Sequence, residues 1–156
     1  MTAAIPRIVR QHDYPYCAAA TRHLLRERED KYPALVTAGK LTASAAAEGL
    51  ERLRCIVAQW KWVIDPACPP APPFDPDTGD FGAHNYLLAA EMRRIATATR
   101  RRADHYPDSF EVCELADLCE ALAWYQADLV PGLARIVAHV ASCRARTERP
   151  QERLAA

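Results

Sequence analysis

The chain carries no net charge. Its 156 residues hold 20 Lys and Arg against 20 Asp and Glu. A neutral chain is not a uniformly basic coat for nucleic acid. No uninterrupted apolar run reaches the roughly 18 residues a membrane span needs, so no membrane partner is expected. Residues 1–10 include Ile5, Pro6, Arg7 and Arg10 but no apolar stretch of the secretory kind. A cytoplasmic location is therefore expected, and the six cysteines should be reduced thiols. None forms a Cys-x-x-Cys pair, so no zinc ribbon is encoded. They read as small buried hydrophobes.

Catalytic motifs are missing too. There is no phosphate loop, no Gly-x-Ser-x-Gly elbow, no His-Glu-x-x-His and no Glu-x-x-His pair. No cofactor, no metal and no enzymatic activity are expected. The nearest polar grouping is His84 with Glu91, joined by Cys119 or Glu111. A metal would need such groups to converge at about 2 Å; a hydrogen bond in a bundle core is the simpler reading. Lysine is also scarce, with arginine as the usual cation, which reads as GC-rich coding.

What is present is helical periodicity. The pattern predicts an all-α, single-domain bundle of four to five helices over 14–30, 43–64, 81–102, 109–130 and 132–146. A polar tail at 147–156 is expected to fray. Asp13 is a candidate cap for the first helix, which Asp30-Lys31-Tyr32-Pro33 should end. Gly39 suits a left-handed C-terminal cap. Thr42 suits the N-cap of the second helix. There Ala46, Leu50, Leu53, Val57, Trp60 and Ile64 are spaced 4, 3, 4, 3, 4, an apolar seam of almost three heptads. Half of the twelve prolines fall in residues 65–80. This segment reads as a semi-rigid strap across the bundle, anchored by Phe74 and Phe81. Asp80 is a candidate cap for the third helix. Asp108 with Glu111 resembles a capping box for the fourth. Residues 28–33 and 102–107 share Arg, Asp, Tyr and Pro at matching positions. Shared turn chemistry accounts for this echo more simply than duplication.

The charges are segregated. Seven acids lie between Ala103 and Ala134 with no Lys or Arg among them: Asp104, Asp108, Glu111, Glu114, Asp117, Glu120 and Asp128. Arginines flank the block on both sides. On a helical wheel Glu114, Asp117, Glu120 and Asp128 share one side with Trp124, opposite the apolar set. Trp is enriched at binding hot spots. The expected site is thus a partner-binding face of Glu114, Asp117, Glu120, Trp124 and Asp128, taking a basic surface on another protein in the manner of a phosphate backbone. The competing reading is that these acids pair with Arg93, Arg94, Arg100 and Arg101 of a neighbouring helix. Those arginines form two outward rows suited to phosphate contacts, so nucleic acid is the alternative partner. The apolar seam and an outward Trp124 also allow a homodimer.

One segment carries a resemblance. Tyr32-Pro33-Ala34-Leu35-Val36-Thr37-Ala38-Gly39-Lys40-Leu41-Thr42, followed by Ala46 and the Leu50/Leu53/Ile56/Val57 helix, resembles a stretch of small phage and prophage proteins of unassigned function. They share a Tyr-Pro-x-x-Val-x-x-Gly turn, a Leu-Thr cap and an amphipathic helix. The likeness covers about a fifth of the chain and holds no catalytic residue. It implies a bacterial or phage cytoplasmic origin. It also implies a non-enzymatic role in binding and redirecting a host protein, inhibition of a defence nuclease among such roles.

Overall fold

A computed structural model describes residues 9, 10, 13–65, 67, 69–127, 137, 138, 140, 141 and 143. Four helices make up the fold: α1 (Tyr14–Thr37), α2 (Ala43–Ile64), α3 (Asn85–His105) and α4 (Phe110–Gln126). The chain is an all-α bundle. The most extensive contacts are α1 with α2 and α3 with α4, two antiparallel hairpins. Smaller contacts of α2 with α3 and of α4 with α1 close the ring.

The first helix is longer than the sequence implies. It runs through Pro33 and ends only at Thr37. Pro33 removes one backbone donor, but just four helical residues follow it, and Thr37 Oγ1 donates to the Pro33 carbonyl at 3.0 Å. Gly39, at φ +71°, then closes the helix. Its N–H reaches the Val36 carbonyl at 3.1 Å, and the Lys40 N–H reaches Leu35 at 3.0 Å. That pair is a Schellman motif. The two echoed segments thus play different parts: residues 28–33 lie inside α1, whereas 102–107 end α3. At the other end of α1, Asp13 occupies the cap position without capping; its carboxylate bonds Arg10 instead. Pro15 in the first turn starts the helix, because its missing N–H would have been unpaired there anyway.

Thr42 caps α2, its hydroxyl accepting from the Ala45 N–H at 3.1 Å. Leu53, Ile56 and Trp60 are fully buried, but Ile64 is exposed. Trp62 is buried in its place because the strap covers that side of the helix. Its ring lies 5.6 Å from Phe74 and stacks on Phe81 at 6.2 Å. Phe81 pairs with Phe74 and Ala83 in isolated β-bridges. That extended backbone, with Gly82 at φ +70°, delays the start of α3 to Asn85. Asp80 is therefore no cap; its carboxylate lies 2.9 Å from His84 Nδ1.

Ser109, not Asp108, caps α4, accepting from the Val112 N–H at 3.4 Å. The helix ends at Gln126, short of the expected 130, because the Ala127 backbone turns extended (φ −46°, ψ 155°); residues 128–130 lie outside the described residues, as does most of the expected helix over 132–146 and all of 147–156. Ala138 is buried in the core. At the end of the bundle where α1 begins and α2 and α4 finish, Tyr14, Trp60 and Tyr125 form an aromatic triad with centroids 5.3–6.2 Å apart. Such pairs contribute about 0.5–1.5 kcal/mol each beyond area burial.

Candidate functional site

The acids of α4 are largely answered within the molecule. Arg100 on α3 bonds Asp117 at 2.5 Å and Glu120 at 2.6 Å. The α3–α4 turn folds the basic block back onto the acidic one. Glu120, then Asp117, hold the Arg100 guanidinium above its usual range. Glu114 accepts from Arg10 Nη1 at 2.9 Å, and that bond is the main reason the Arg10 guanidinium is also raised. The acids and Trp124 therefore do not form one free stripe. Trp124 itself is outward and 38% exposed, its ring edge-on to Tyr125 at 4.9 Å. Asp128 lies outside the described residues.

Within the acidic block, the described acids left without an ion pair among the described residues are Asp104, Asp108 and Glu111, all exposed at the α3–α4 corner. Tyr106 and Phe110 stand among them, 59% and 76% exposed. Water contact over most of a phenylalanine forgoes about 2 kcal/mol of burial. Phe110 is at the first helical position after the Ser109 cap, where the sequence offered a signal: an aromatic residue at a polar corner, outside the apolar stripe. Sequence reasoning passed over it for Trp124.

From this corner a cleft runs between α1 and α4. Ala19, Ala20, Leu115 and Leu118 contribute its apolar lining, with His23, Glu27 and Glu111 among its polar residues. Glu27 is tied to Lys31 at 2.5 Å, which is the main cause of its lowered pKa.

Of the five arginines of α3, the four expected to contact a phosphate chain divide. Arg100 faces α4. Arg94 bonds Glu91 at 2.8 Å while staying 66% exposed. Arg93, Arg94 and Arg101 line one strip of the α3 surface with Ala90, Thr97 and Ala98 between them. Glu91, grouped with His84 in the sequence, is buried. Arg28 of α1 lies 2.5 Å from it and Arg52 of α2 4.0 Å. The His84, Glu91, Cys119 and Glu111 set is not assembled: His84 pairs with Asp80, Glu91 is held by arginines, Cys119 is fully buried and Glu111 is exposed. Among the described residues no group of three or more His, Cys, Asp or Glu converges. Of the α2 seam that allowed a homodimer, Ala46, Leu53 and Trp60 are buried inside the bundle, Leu50 and Val57 are half-buried and Ile64 is exposed.

No family model, no curated protein and no solved structure matches this chain. No helix among the described residues is long and apolar enough to cross a membrane.

Proposed function

We propose that the protein is a non-enzymatic interaction module that binds a basic partner through the α3–α4 corner. The observation that carries this reading is the 76% exposed Phe110, set with Tyr106 among Asp104, Asp108 and Glu111. Aromatic side chains supply the central energy of interfaces and surrounding charges supply orientation and on-rate. The partner's complement is a basic surface with an apolar recess, the character of many proteins that grip nucleic acid. Occupying such a surface would inhibit it. The resemblance of residues 32–42 to phage and prophage proteins supports a mobile-element origin and a host target. Trp124 lies about 21 Å along α4 from Phe110, outside this corner.

The test is capture of partners from nuclease-treated bacterial lysate on the immobilised protein. Phe110→Ser and Glu111→Lys should abolish capture of a stoichiometric basic protein with helicity unchanged. Equal capture by both variants, or no stoichiometric protein, rejects the reading. Reversing Glu114 and Asp117 would be a poor probe, because it also breaks the Arg10 and Arg100 pairs.

A further inference from the structure

We propose that the outward face of α3 is a second binding surface, for single-stranded nucleic acid. At 100° per residue, Tyr86, Arg93, Arg94 and Arg101 fall within one arc of about 100°. All four are exposed. From Tyr86 to Arg101 the arc is about 22 Å long at 1.5 Å per residue, the reach of a few nucleotides.

Three observations point to this ligand. First, Arg94 and Arg101 carry positive charge beyond what the described fold uses. Glu91 offers two oxygens to Arg28, Arg52 and Arg94, and each guanidinium carries five N–H donors. Arg94 can keep Glu91 and still present donors to a phosphate. Arg101 has no ion pair among the described residues. Second, the residues between the arginines are Ala90, Thr97 and Ala98. They are small enough to let a sugar–phosphate chain lie close to the helix, and no large aliphatic side chain offers the apolar centre a protein partner would need. Third, the N-terminal end of the strip carries an aromatic platform. Tyr86 is 61% exposed, and its ring is stacked on that of His84, 5.7 Å away at 13°. A basic track ending in a solvent-facing ring is the combination single-strand binders use: phosphates on the cations, a base on the ring. Asp104, one turn beyond Arg101, ends the track.

The experiment is fluorescence anisotropy of a labelled oligothymidylate titrated with the full chain over a range of salt. Binding should appear at low salt and weaken with a log–log slope of about −2, as three phosphate contacts to a single strand require. Arg93→Ala with Arg101→Ala should flatten the slope by about 1.4. Tyr86→Ala should weaken binding roughly tenfold with the slope unchanged, since stacking releases no counterions. Arg101→Ala alone serves if the double variant loses helicity. Phe110→Ser should leave the affinity as it is, which separates this surface from the α3–α4 corner. Absence of binding at low salt, affinity insensitive to Arg101, or equal competition by duplex of the same length would each overturn the proposal.

Discussion

Arg28 of α1 reaches diagonally across the bundle to Glu91 of α3, Nη2 to Oε1 at 2.5 Å. The α1 and α3 backbones make no close approach to each other, so this pair ties the two hairpins together across the diagonal. Glu91→Gln would leave the 16% exposed Arg28 side chain without its counter-charge. We expect a loss of about 2–3 kcal/mol, less than the ~3–5 of a fully buried pair because Arg94 and Arg52 can turn to water. Urea unfolding followed by circular dichroism measures it; an unchanged midpoint would show that the pair contributes nothing.

Gly82 and Gly39 both have φ near +70°, yet they should respond differently to alanine. A Cβ on Gly39 meets nothing within 4 Å, so Gly39→Ala should cost about 1 kcal/mol of backbone strain. A Cβ on Gly82 would stand 2.6 Å from Pro72 Cγ and 2.8 Å from Cys55 Sγ. Both neighbours are held, one by the strap and one by α2. Gly82→Ala should cost about 1–3 kcal/mol more than Gly39→Ala. Equal melting temperatures for the two variants would mean that the strap moves aside.

Gln59 is fully buried, and neither atom of its amide has a hydrogen-bond partner among the described residues. Burying such an amide costs about 1–3 kcal/mol. Gln59→Leu should raise stability by about 1 kcal/mol, read as a higher melting temperature. A lower one would assign the amide a partner that this fold does not display.

Burial pushes the Cys17 thiol up to about 11 and the Cys119 thiol up to about 12. Both should resist iodoacetamide at pH 8 in the folded protein, while the exposed Cys143 reacts. The same shifts fix a pH dependence. Between the ordinary thiol value near 9 and the folded values, the folded state keeps protons that the unfolded chain has released. Stability should therefore be complete below pH 9 and fall as pH rises from there. Denaturation midpoints at pH 8, 9 and 10 test the sign, and Cys119→Ala should make the fall shallower.

Much of the scaffold was legible in the residues. The apolar seam of α2, the Thr42 cap and the Gly39 cap each follow from local chemistry, and local chemistry reports its own turn. Pro33 misled because the rule against proline concerns a helix interior, and here one turn remains for a Schellman motif to hold. The acidic face misled for a different reason. Charge segregated along the chain becomes charge neutralised in space once a hairpin folds, and Arg100, six residues before the Tyr106-Pro107 corner, comes to face Asp117, ten residues after it. Folding the two blocks about that corner would have found the pair. Glu91 was also legible, three residues after Leu88 and four before Ile95 on the buried face. The bond between Arg10 and Glu114, 104 residues apart, has no local signal.

The split of contacts into two strong hairpins and a lighter seam sets an order of assembly. α1 with α2, and α3 with α4, are joined by short connections, so each can zip from its own turn at little loop-closure cost. The proline strap then only has to let two preformed halves dock. Hydrogen exchange should follow the same division, with amides at the seam opening before those within either hairpin.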